Sequence, residues 1–143
     1  MELDRRPVAL ISSDGGFVQG EFLLWEESPE DADRVRLAVT FGDEEIARDA
    51  DDFFAALCSI RAVLGVADLM PRCYGSSRNV YPSGMTRGMG TGDKAYRLYL
   101  GRRGRPEDVV DIFGDGSDVD PVSVQVQESY YREWLGSLTT DSD

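Results

Sequence analysis

Between residues 35 and 64 the hydrophobic period changes once, and that change limits the fold more than any other feature. Val35, Leu37, Val39 and Phe41 alternate with Arg36, Ala38 and Thr40, the period-two pattern of a strand with one buried face. Phe53, Leu57, Ile60 and Leu64 then recur at spacings of 4, 3 and 4, which lines one side of a helix. Asp49, Asp51 and Asp52 offer an N-cap and suit the positive end of the helix dipole. A helix is therefore expected from about Asp49 to Leu64, with Gly65 as its C-terminal stop.

The remaining elements are shorter. Val8–Ser12 reads as a strand, Asp14-Gly15-Gly16 as a turn, and Phe17–Glu26 as a second strand carrying Phe22, Leu24 and Trp25. Glu26 to Asp33, with Pro29, is an acidic loop. Leu69–Tyr74 is a short strand broken by Pro71. Tyr96, Leu98 and Leu100 mark a strand ending at Gly101, and Val109–Phe113 another. Asp120-Pro121 opens a last helix, since proline suits a first turn. Gln127, Tyr130, Tyr131, Trp134 and Leu138 mark that helix's buried face, with an edge of Tyr131 available to anchor an interface. The expected fold is α+β: a mostly antiparallel sheet of five to six strands with two helices packed on one face. With 143 residues, one domain over 1–138 is expected, followed by a frayed tail at 139–143.

Two absences narrow the function. The chain has no histidine, so triads and zinc sites that need imidazole are unavailable. No apolar run approaches the length of a membrane span. The charged start Met1-Glu2-Leu3-Asp4-Arg5-Arg6-Pro7 is not a signal peptide, so cytoplasmic residence is expected. Cys58 and Cys73 lack a CxxC spacing and are expected as reduced packing thiols. Neither Cys73 nor Tyr81 has an evident base beside it, so no enzyme is expected.

The formal net charge is −12, unevenly spread. Residues 1–66 hold 15 acids and 6 bases, residues 67–113 hold 5 and 8, and residues 114–143 hold 7 and 1. Such acidity disfavours nucleic acid and favours steered association with a basic protein. Asp31, Asp33, Asp43, Glu44 and Glu45, with Asp49, Asp51 and Asp52, form an expected acidic belt around the first helix. Asp111, Asp115, Asp118 and Asp120 miss the ligand spacing and the glycine of a calcium loop, so a solvated turn and a helix cap are expected there. No metal or cofactor is expected.

The stretch from Arg78 to Tyr96 packs four glycines, two methionines and three cations into one basic island. As a presented loop it supplies Tyr81, Met85, Arg87 and Met89 for contact with a partner, and methionine suits adaptable surfaces. As an alternative, Gly88, Gly90, Gly92 and Lys94 could cradle a small molecule or nucleotide phosphate. Asp93 stands where a P-loop needs glycine before the lysine, and a strand follows where a helix should.

The matches Ser83-Gly84-Met85, Met89, Gly92, Lys94-Ala95-Tyr96, Val110-Asp111-Ile112-Phe113 and Trp134 to Leu138 cover roughly the second half of the chain. In these the chain resembles small bacterial proteins encoded beside polymorphic toxins and treated as immunity proteins; residues 1–48 match nothing comparable. The resemblance implies a non-catalytic inhibitor that docks on a cognate toxin domain and blocks it stoichiometrically, as a monomer or weak homodimer. The acidity suits a basic nuclease toxin. Belt residues Asp31, Asp33, Asp43, Glu44 and Glu45 and loop residues Tyr81, Met85, Arg87 and Met89 are the expected contacts.

Overall fold

The computed structural model describes residues 3–82 and 92–138. Its first half is a meander: β1 (Leu3–Ile11), β2 (Phe17–Trp25), β3 (Val35–Phe41) and β4 (Glu44–Ala50). Helix α1 (Phe53–Val66) follows, then the two-residue strand β5 (Met70–Pro71), giving an antiparallel sheet in the order β4-β3-β2-β1-β5. The second half adds β6 (Val80–Tyr81), β7 (Lys94–Arg97) and β8 (Val109–Asp111) as a separate antiparallel sheet in that order, and helix α2 (Val124–Leu138). The α+β antiparallel fold is as expected. Its strands divide between two sheets of five and three.

Two strands were not expected: the two-residue β6, inside the stretch read as a presented loop, and β4. Glu44–Ala50 has one large apolar residue, Ile46, among glutamates, alanines and an aspartate, all weak strand formers. Pairing with β3 along its whole length, from Phe41 opposite Glu44 to Val35 opposite Ala50, overrides that weakness. A two-residue turn joins the two strands, with Gly42 at φ 56°, the positive φ a tight hairpin needs at its first central position. Asp49 is thereby a strand residue, and α1 starts four residues later than expected.

Asp52 is the N-cap, its carboxylate accepting from the Ala55 amide at 2.8 Å. The helix runs through Gly65 and stops at Asp68, which takes the left-handed conformation at φ 59°. Leu69 N–H bonds to Leu64 O at 3.0 Å and Asp68 N–H to Gly65 O at 3.1 Å, the Schellman pairing with aspartate in the usual glycine position. The Asp68 side chain accepts from the Ser13 hydroxyl at 2.8 Å, tying this end to the β1–β2 turn.

One hydrophobic cluster joins both halves. Val8, Leu10, Phe22, Leu24, Val35, Leu37 and Val39 face Phe53, Leu57, Ile60 and Leu64, and Val80, Ala95, Val110, Ile112 and Phe113 complete it. Phe113 is the bridge: its ring meets Phe22 at 5.1 Å and Phe53 at 5.8 Å, both edge-on. Gly75 lets the connecting loop close on that core, since a Cβ there would lie 2.5 Å from Leu57 Cδ2 and 3.0 Å from Ile112 Cβ.

Helix α2 begins later than expected. Residues 120–122 stay extended: the position before proline disfavours helix, Val122 N–H bonds Ser76 O, and Arg78 N–H bonds Asp120 O. Ser123 caps instead, its hydroxyl accepting from Val126 N–H at 3.2 Å. The expected frayed tail at 139–143 lies outside the described residues.

Candidate functional site

Behind β6 sits a buried polar clasp. Arg61 is 6 % exposed and Gln127 1 %. The Arg61 guanidinium donates to Gln127 Oε1 at 2.6 Å, Val122 O at 2.8 Å and Gly75 O at 3.3 Å. Gln127 Nε2 in turn lies 2.9 Å from Gly75 O, Ser77 O and Val80 O. None of these partners is a carboxylate, and burial pulls the Arg61 pKa below its ordinary value. The sequence carried a signal for this: position 61 lies four after Leu57 and three before Leu64, on the apolar face. Ionic character alone would have placed it outside.

With β6 and α2 fixed in this way, an aromatic groove opens between them. Tyr81 stacks on Tyr131 at 4.1 Å and 16°, its other side edge-on to Phe54 at 5.2 Å. Tyr131 continues the stack to Trp134 at 6.0 Å. Three hydrogen bonds lace residues 98–102 along α2: Tyr130 Oη to Leu98 O, Trp134 Nε1 to Arg102 O, and Gly101 N–H to Ser137 Oγ. The resulting groove has a volume of about 350 Å³ and is lined by these rings with Tyr96, Pro82, Leu98 and Leu138. Arg103 and Gly104 form its rim. Gly104 brings the backbone against the Tyr96 ring, where a Cβ would meet Tyr96 Cδ1 at 3.1 Å. Tyr131, singled out by sequence as an interface anchor, is at the centre. The remaining apolar lining was not legible as a site.

Among the described residues, the expected acidic partner residues do not form one surface. Asp31 and Asp33 are exposed in the β2–β3 connection; Asp43, Glu44 and Glu45 are exposed at the β3–β4 turn. Those positions lie at opposite ends of β3, about 20 Å apart for a seven-residue strand. The continuous belt is therefore replaced by two separate acidic ends. Much of the rest is paired: Asp49 with Arg36 at 2.7 Å, Asp51 with Arg34 at 3.5 Å. The Arg36 hydrogen bond, helped by Ser28, holds the Asp49 carboxyl below the usual range. Tyr81 lies in the groove. Met85, Arg87 and Met89, and Gly88 and Gly90 of the alternative phosphate cradle, lie outside the described residues. Of that alternative set, Gly92 is buried at φ 78° against Asp52, where a Cβ would come within 2.5 Å of Asp52 Cβ. Lys94 opens β7 with its ammonium 3.6 Å from Asp93.

Of the four aspartates before α2, Asp115, Asp118 and Asp120 are exposed, as a solvated turn requires, but none is the cap, which is Ser123. Each of the four pairs with an arginine from another part of the chain: Asp111 with Arg6 at 2.9 Å, Asp115 with Arg72 at 3.2 Å, Asp118 with Arg97 at 3.3 Å, and Asp120 with Arg78 at 3.1 Å. Tyr74 donates to Asp118 at 2.6 Å, which lowers the Asp118 pKa and raises that of the phenol. Among the described residues, no group of three or more His, Cys, Asp or Glu is placed to hold a metal ion, and no helix is long and apolar enough to cross a membrane. Neither cysteine is joined in a disulfide. Cys73 is fully buried, and burial pushes its thiol above the ordinary value.

Comparison with protein-family models and with curated proteins finds no match for this chain.

Proposed function

We propose that the chain is a non-catalytic protein-binding domain acting as an immunity-type inhibitor, which docks on a cognate toxin domain and blocks it stoichiometrically. The observation that carries the binding part is the groove between β6 and α2. Its Tyr81–Tyr131–Trp134 rings are half-buried and held by stacking and by the Trp134 Nε1 hydrogen bond. Aromatic side chains already fixed in position are the residues that carry most interface energy, because little ordering entropy remains to be lost on binding. The toxin as partner follows from the sequence resemblance in the second half of the chain. A basic nuclease follows from the net charge of −12, through long-range steering rather than one continuous acidic face.

The test is co-expression of the tagged chain with the reading frame immediately upstream of its own gene, followed by native mass spectrometry of the eluted species. A stable 1:1 complex with the C-terminal domain of a large secreted protein is expected. Elution of the chain alone, or an upstream frame of ordinary metabolism, overturns the reading.

A further inference from the structure

We propose that the groove seats an acidic segment of a protein partner, which lays a large apolar side chain on the Tyr131–Trp134 rings and sets carboxylates against Arg103 and Arg105. This rests on the protein-binding reading and adds the chemistry of what is bound.

Size and lining set the first half of the inference. A volume of about 350 Å³ is at the small end of ligand pockets, which run ~300–1,000 Å³, and suits one or two large side chains. The Trp134 Nε1 donor is already committed to Arg102 O, so beside the tyrosine hydroxyls and Arg103 the groove offers mainly ring faces and aliphatic carbons. That surface selects a tryptophan, phenylalanine or leucine.

Charge sets the second half. Eight arginines of this acidic chain meet carboxylates, namely Arg5, Arg6, Arg34, Arg36, Arg72, Arg78, Arg97 and Arg102. Arg48, Arg61 and Arg132 have no such ion pair among the described residues and lie away from the groove lining. Arg103 and Arg105 are exposed two residues apart in the segment before Pro106, and neither guanidinium has an ion pair or hydrogen bond among the described residues. Glu107 of the same segment pairs with neither, and Asp108 is committed to Arg102 at 2.9 Å. Among the described residues lining the groove, Arg103 alone is charged. Guanidinium is shaped to take a carboxylate in paired hydrogen bonds. A lysine- or arginine-flanked segment would place like charges at the rim and be rejected.

A random peptide-display library selected on the full chain tests this, with fluorescence anisotropy of the enriched peptides. The expected consensus is an aromatic or large aliphatic residue with Asp or Glu within a few positions. The double variant Arg103→Glu, Arg105→Glu is expected to weaken binding about tenfold or more, whereas Arg48→Glu, on the edge of the other sheet, changes it less than about twofold. Both variants should retain the parent melting curve, since all three side chains are exposed. Enrichment of basic-flanked peptides, or binding indifferent to the double reversal, overturns the acidic occupant while leaving protein binding intact. No enrichment alongside a co-purified complex removes the groove as the seat. No enrichment and no complex removes both readings.

Discussion

The two halves of this molecule are held together by different physics. Leu10, Phe22, Leu37, Val39, Phe53, Leu57, Ile60 and Leu64 are all at most 2 % exposed and seal α1 to the five-stranded sheet. Burying such side chains contributes about 1.5–3 kcal/mol each with no demand on direction. In α2 the fully buried residue is a glutamine. To its share of the common core, Val80, Ala95, Val110, Ile112 and Phe113, that side of the molecule adds the Arg61–Gln127 clasp, four Asp–Arg pairs from the 111–120 segment, and stacked rings. Apolar packing tolerates small displacements, whereas hydrogen bonds to buried carbonyls do not. The second half is therefore specified by geometry and the first by pattern.

The largest effect is expected from cutting the apolar side. Leu37→Ala should cost about 2–5 kcal/mol in urea unfolding and lower hydrogen-exchange protection in both halves, because the core is shared. Next is Gln127→Met, which keeps the volume and deletes the polar groups. It orphans buried carbonyls and one Arg61 contact and should cost about 2–3 kcal/mol. Its protection loss should concentrate in residues 73–80 and α2. A loss spread evenly over β1–β3 would erase the distinction between the halves.

The contrast also governs what could be read in advance. β3 and α1 announce themselves through unbroken apolar periods, and the 14–16 turn through its glycines. β4 does not, because its pairing with β3 supplies what its own residues lack. The division into two sheets was hidden, since strands of two to four residues leave no periodicity to read. Tyr131 and Trp134 were visible as a face, but the groove is made only when residues 98–102 are laced along α2 by backbone-directed bonds. The acidic belt divides in two because the β3–β4 hairpin sets Asp31 and Asp33 at one end and Asp43, Glu44 and Glu45 at the other. Arg61 was passed over because its charge outweighed its helical phase.

A finer cut comes from Gly75→Ala. Its added methyl meets Leu57 and Ile112 at the seam between the halves, and overpacking there should cost about 1–3 kcal/mol. A neutral outcome in thermal unfolding would mean that the seam yields easily. The smallest effect is electrostatic. Asp118 and Asp49 have folded pKa values below the ordinary one, so they bind fewer protons in the native state than in the unfolded chain. Their contribution is complete above the ordinary carboxylate value of about 3.9 and is lost as pH falls through the folded values. Stability followed from about pH 6 to pH 2.5 should fall less steeply in Asp118→Asn than in the parent. An unchanged slope would assign acid sensitivity to the first half. Tyr74, whose pKa is raised, contributes in the opposite sense: its share is present below about pH 10 and fades above it.

The clasp also implies an order in time. Every strand of the larger sheet, and α1 itself, is complete by Pro71, whereas the Gln127 acceptor for Arg61 lies 66 residues further along the chain than the arginine. During synthesis the sheet can close on α1 while that guanidinium still has water for a partner. Arrival of residues 122–127 exchanges the water for carbonyls and the glutamine amide, and at that step the Tyr131 and Trp134 rings reach their places. The aromatic groove is thus completed last among the described elements.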